Sequence, residues 1–230
     1  MDDDLNEDEI LRALEANPRD PGALCKMGQL RYDQGRIDEA EARWREAIAI
    51  DPNFAEAHYM LGLMLYYKGR RQEAEAEWRE AVRIKPDYVA ARYNLAFLLA
   101  ETGQEGEAEA EYREAIRLES DLVEARDNLG ILLYSQGRYQ EAEVEFREAV
   151  RVCPYDALAH HNMAFFLYDQ GRYQEAEVEY RETLRINPDI AEAHREFGDL
   201  LAKLGRDEES REHLEKAAEL DGAGQAPGIS

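Results

Sequence analysis

GRYQEAEVEFREAV, residues 137–150, returns 34 residues later as GRYQEAEVEYRETL, residues 171–184. Looser copies stand at 69–82 (GRRQEAEAEWREAV) and 35–48 (GRIDEAEARWREAI). A fixed period of this length marks a stack of small units, none able to bury its apolar face alone and each resting on its neighbours. Six units follow in register without insertion: 21–54, 55–88, 89–122, 123–156, 157–190 and 191–222. The acidic stretch 1–20 is expected to be a capping half-unit with Ile10, Ala13 and Leu14 on its packing face. Residues 223–230, AGQAPGIS, are expected to be a flexible tail.

Within a unit, Gly35, Gly69, Gly103, Gly137, Gly171 and Gly205 each close an apolar-periodic segment, the place where a helix end wants positive φ. Pro52, Pro86, Pro154 and Pro188 stop the next segment by removing a backbone donor. Each unit is therefore predicted to be a helical hairpin. In the second helix Ala40, Ala74, Ala108, Ala142 and Ala176 precede Trp44, Trp78, Tyr112, Phe146 and Tyr180 by four residues, so alanine and ring share a face. These rings are read as core. In the third unit Gly103 and Gly106 flank the turn and Ser120 replaces the boundary proline, which by composition makes it the least rigid and a candidate hinge.

The spacing His58-x-x-Leu61-Gly62-x-x-Leu65, then Ala74-x-x-x-Trp78 and Pro86, at a 34-residue period, resembles the tetratricopeptide repeat. That resemblance implies an all-α, right-handed superhelical solenoid of six stacked helix-turn-helix repeats. It also implies a noncatalytic scaffold whose first helices line a concave groove for a peptide or helix of a partner protein.

Asp and Glu outnumber Lys and Arg by 51 to 28, a formal charge of −23 that repels phosphate backbones, so nucleic acid is excluded as an expected partner. Much of the acidity recurs at fixed places on the second helices, as a solvated face does. The start, MDDDLNEDEI, has neither the charge nor the apolar run of a secretory signal, and no later run is long enough for a membrane span. A cytoplasmic location and no membrane insertion are expected. Cys25 and Cys153 stand far apart and are read as reduced thiols.

No catalytic constellation, metal set or cofactor loop emerges, so neither enzyme activity nor a cofactor is expected. His58, His160 and His194 share one register and read as packing residues, while the adjacent His160 and His161 point different ways.

Apolar and aromatic residues on the first helices opposite the packing face are the candidate peptide-binding site. They are Tyr59, Leu63 and Tyr66, with Tyr67 beside them, in the second unit, and Tyr93 and Phe97 in the third. The fourth contributes Ile131 and Tyr134, and the fifth His161, Phe165 and Tyr168. Helical spacing leaves two readings open for Tyr66, Tyr134 and Tyr168, as groove wall or as packing against the next unit. Asn94, Asn128 and Asn162 recur on the same side, either to hold a ligand backbone or to bridge neighbouring helices. Glu56, Glu101, Glu124, Asp127 and Asp169 surround the stripe, favouring a ligand with apolar anchors and some basic residues. Family members that grip acidic chaperone tails use cations inside the groove. Here Lys26, Arg195 and Lys203 lie only towards the ends, so that client class is not expected. Self-assembly into homo-oligomers through the groove or the open ends of the stack is the alternative.

Overall fold

The computed structural model describes residues 7–224, and all thirteen elements among them are α-helices. The chain divides into two compact units, Met1–Ser120 and Asp121–Ser230. In the first, α1 (Glu7–Ala16) precedes three hairpins: α2 (Pro21–Asp33) with α3 (Ile37–Ile50), α4 (Ala55–Tyr67) with α5 (Arg71–Ile84), and α6 (Val89–Glu101) with α7 (Glu105–Leu118). The second repeats the plan with α8 (Val123–Ser135) and α9 (Tyr139–Val152), α10 (Ala157–Asp169) and α11 (Tyr173–Ile186), and α12 (Ala191–Lys203) and α13 (Asp207–Gly224). Within each unit every second helix also packs on the first helix of the next hairpin. The result in each is an all-α solenoid.

The turns obey the chemistry of their residues. Gly69 sits at φ 75°. There its N–H donates to the Tyr66 carbonyl, while the Arg70 N–H reaches back to Leu65, both at 2.9 Å. This closes α4 with the reciprocal bonds of a left-handed glycine cap. The other five turn glycines repeat the angle.

The core sits between the helices of each hairpin. Trp44, Trp78, Tyr112, Phe146 and Tyr180 are buried with their partner alanines. A Cβ placed on Gly62 would stand 2.6 Å from Trp78 Nε1, so only glycine lets that indole seat and donate to the Tyr59 carbonyl at 3.2 Å. In the last hairpin Ser210 holds the alanine place and is buried, whereas Leu214 holds the aromatic place and is part-exposed.

α1 keeps Ile10 buried, and residues 1–6 lie outside the described residues. α13 runs on to Gly224, two residues beyond the predicted boundary, and residues 225–230 of the expected tail lie outside the described residues.

Candidate functional site

In the first unit the exposed side of α4 and α6 encloses a cavity of about 300 Å³ lined by Leu63, Tyr66, Tyr67, Trp78, Tyr93, Asn94 and Phe97. α4 supplies its near wall and α6 its far wall, because residues three and four apart on a helix share a face. Trp78 of α5, expected only as core, also reaches it. Tyr66 is half-buried and does both things its spacing allowed. Its ring stands edge-on to Phe97 at 6.3 Å inside the cavity, and its hydroxyl donates to Glu101 of the following hairpin at 3.0 Å. The Arg71 guanidinium lies 5.7 Å from the same ring and 3.7 Å from Glu101. Tyr59 stands apart from this cavity, packed on Tyr88 at 4.9 Å.

The second unit carries a more open surface. Ile131 on α8 and Phe165 on α10 are exposed at 47% and 42%, and Tyr134 sets its ring edge-on to Phe165 at 6.1 Å. Tyr155 and Leu158, exposed at 77% and 57%, are further exposed apolar residues of this unit that the spacing argument did not single out. A signal for both existed. Leu158 precedes Phe165 by two helical turns, and Tyr155-Asp156 inverts the Asp87-Tyr88 order of the earlier boundary. The inversion lets Asp156 cap α10, accepting from the Leu158 N–H at 2.8 Å, and leaves the tyrosine outside.

The asparagines are engaged within the stack. Asn94 donates to the Tyr59 hydroxyl at 3.3 Å, and Asn162 hydrogen-bonds the carboxyl of Asp127. The next member of the series, Glu196, takes Nε2 of His161 at 2.7 Å and the Tyr180 hydroxyl at 3.1 Å. The links of Tyr59 with Asn94, Asp127 with Asn162 and His161 with Glu196 join residues 35 apart, from one hairpin to the next. For Asn94 and Asn162 the bridging alternative therefore describes the structure, since their amides already face side chains of the preceding hairpin. Asn128 holds the same register on α8 and is part-buried.

Asp127 corrects a second expectation. It is not a surface charge of the groove but a buried carboxyl, 4% exposed, whose Oδ1 has no hydrogen-bond partner. Burial raises its pKa to about 7 against the hydrogen bond from Asn162, with Asp156 and Glu124 adding to the rise.

The histidine register is more polar than packing alone requires. His58 Nδ1 meets Glu77 at 2.6 Å and its Nε2 meets the Pro52 carbonyl at 3.2 Å, and His160 repeats both contacts with Glu179 and Pro154. Burial opposes the charge on His58, but Glu77 and the Pro52 carbonyl outweigh it and hold the pKa above its ordinary value. The Glu179 bond does the same for His160 against burial. His194 meets His213 in place of the glutamate, Nδ1 to Nδ1 at 2.8 Å. Among the described residues no three His, Cys, Asp or Glu side chains are grouped to hold a metal ion, and no helix is long and apolar enough to cross a membrane.

Sequence models described as TPR repeat match residues 28–69 and 62–103, and models described as tetratricopeptide repeat match 89–122, 122–153 and 155–223. A comparison with curated protein sequences yields no match. Among solved structures the chain is similar to YrrB, a TPR protein with an unusual peptide-binding site, at TM-score 0.68 and 23% identity over 80% of this chain and 95% of that one. It is similar to PilF of Pseudomonas aeruginosa at TM-score 0.74 and 20% identity, covering 84% and 88% of the two chains. MamA of Desulfovibrio magneticus RS-1 gives 0.66 and 17%, with 75% and 97% covered. At these identities the likeness is one of fold.

Proposed function

The chain belongs to the tetratricopeptide repeat family, and from that premise we propose that it is a noncatalytic scaffold whose first helices take a segment of a partner protein carrying apolar anchors and some basic residues. The cavity between α4 and α6 carries this reading. Four aromatic side chains and a leucine wall about 300 Å³, joined by the Trp78 ring and one amide. Such a lining suits one large apolar side chain of a ligand, with few polar groups to fix its direction. The excess of carboxylates around it steers a segment that brings lysine or arginine. YrrB, described by its peptide-binding site, lends the same reading support by analogy of fold.

The test is an affinity pull-down with the wild-type chain and a Tyr93→Ala/Phe97→Ala double variant, both checked for helical content. Partners recovered with the wild type are expected to fall at least tenfold with the variant. Undiminished recovery on a folded variant would sink the proposal.

A second reading, self-association, draws on a different surface. Val144 and Val178, one period apart on α9 and α11, are exposed at 62% and 56%. Val178 borders a cleft of about 240 Å³ with Val150, Met163 and Leu167. Sedimentation that gives one concentration-independent monomer mass would remove this reading.

A further inference from the structure

Four tyrosines share one register on the first helices, Tyr32, Tyr66, Tyr134 and Tyr168. Tyr32 packs on Trp44, whereas each of the other three meets the residues five and 35 places further on. These three sets differ in their cation, which two of them have from different places and one lacks. At Tyr66 it is Arg71, five places on, which lies 5.7 Å from the ring centroid and pairs with Glu101 at 3.7 Å. At Tyr168 it is Lys203, 35 places on, whose ammonium stands 4.3 Å from the Tyr168 centroid and 5.5 Å from that of Tyr173.

The middle set combines halves of the other two and has no cation. Tyr134 and Tyr139 hold the same ring pair as Tyr168 and Tyr173, 5.6 Å apart and inclined at 53°, against 5.8 Å and 50°. Asp169 takes the place of Lys203 and hydrogen-bonds the Tyr134 hydroxyl, as Glu101 does for Tyr66. No lysine or arginine lies over either ring among the described residues, and Asp169 makes no ion pair among them. Its Oδ2 accepts from the neutral side-chain amide of Gln170 at 3.1 Å. Tyr139 and Asp169 are both exposed.

Two electron-rich ring faces beside an exposed carboxylate attract a cation, by the ring quadrupoles and by charge. The same chain fills both equivalent places with its own. We propose that Tyr134, Tyr139 and Asp169 form a site for a lysine or arginine side chain of the partner segment, which supplies the cation this register lacks. The inference rests on the scaffold reading and specifies its ligand: a basic residue seated here, with an apolar neighbour on the exposed shelf of Ile131 and Phe165. Selectivity follows from the chemistry, because an acetylated lysine or a citrulline keeps the shape and loses the charge.

The site is tested without the partner. The full chain is labelled with 3-fluorotyrosine, with Tyr134→Phe and Tyr139→Phe used to assign the two fluorine signals. It is then titrated with N-acetyl-arginine methylamide and with the citrulline analogue. Saturable shifts of both signals are expected with the arginine probe, and at least tenfold weaker binding of citrulline. Asp169→Lys, which copies the Tyr168 set, is expected to abolish the response. Lys203→Asp, which copies the middle set, is expected to create one at Tyr168 and Tyr173. An equal response to citrulline, or no response to arginine at Tyr134 and Tyr139, overturns the proposal. Since the probe reads this site alone, its failure is distinct from failure of the Tyr93 and Phe97 pull-down.

Discussion

Asp127 occupies the register that carries Tyr59, Tyr93 and His161 in the neighbouring repeats, and it is the carboxyl of that register, with burial working against its charge. Its folded pKa of about 7 stands above the ordinary 3.8. Between those values the unfolded chain has released the proton and the folded chain still holds it. The folded state therefore loses stability as the pH rises through this window, and the penalty is complete above it. Asp127→Asn is expected to stabilise the protein at pH 8 by on the order of 3 kcal/mol, and to change little at pH 3.5. Urea unfolding at the two pH values measures both, and an equal gain at each would remove the carboxyl as the cause. His58 and His160 act in the same sense. Their contribution is present below about 6.5 and lost as the pH rises through their higher folded values, so a smaller slope persists in the variant. Spacing placed Asp127 on the candidate face, but burial depends on what the next repeat lays over it. A sequence of one chain does not show that Asn162 faces it.

Helices of 13 or 14 residues are marginal alone, so what fixes each hairpin is the fit between its two members. Gly62 on α4 illustrates the fit. In an exposed helix, alanine for glycine is favourable by about 1 kcal/mol. Here the added methyl meets the Trp78 indole at 2.6 Å, and overpacking of this kind costs about 1–3 kcal/mol. Gly62→Ala is expected to lower the melting temperature. Gly106→Ala on α7, where nothing stands within 4 Å of an added Cβ, is expected to raise it. Thermal denaturation followed by circular dichroism compares the two, and a gain at both positions would disprove the packing account. This level of the molecule was legible in advance. Glycine turns, proline stops and the alanine–aromatic pairs announce themselves through a 34-residue period, because local backbone chemistry and a repeated face produce them. The site was legible only in part. Tyr66, Tyr93 and Phe97 do meet around one cavity, yet the spacing did not show that Asn94 turns to Tyr59. Nor did it show that Arg70 of one turn reaches Glu41 of the preceding hairpin at 2.9 Å, since such pairs join repeats rather than neighbours in sequence.

The two compact units meet in sequence after Ser120, the position where the boundary proline is missing. Stacked repeats hold together through nearest-neighbour terms, so cooperativity across a whole stack is not guaranteed. The chain contains its own reporters. Both tryptophans, Trp44 and Trp78, lie in the first unit, whereas helical signal comes from both. In equilibrium unfolding, tryptophan fluorescence and far-ultraviolet circular dichroism are expected to give different midpoints. Coincident curves would show a single transition and refute independent units.

The links across 35 residues bear on how such a chain is inherited. Two nearly identical stretches invite misalignment during copying, and a crossover between 137–145 and 171–179 removes one period while leaving every turn intact. The shortened product sets α8 beside α12 instead of α10. Asp127, which now rests on an amide, then faces the carboxylate of Glu196. The pairs Tyr59 with Asn94, Asp127 with Asn162 and His161 with Glu196 thus act as an address on each copy. They make the copies of an outwardly uniform array non-interchangeable at their contacts.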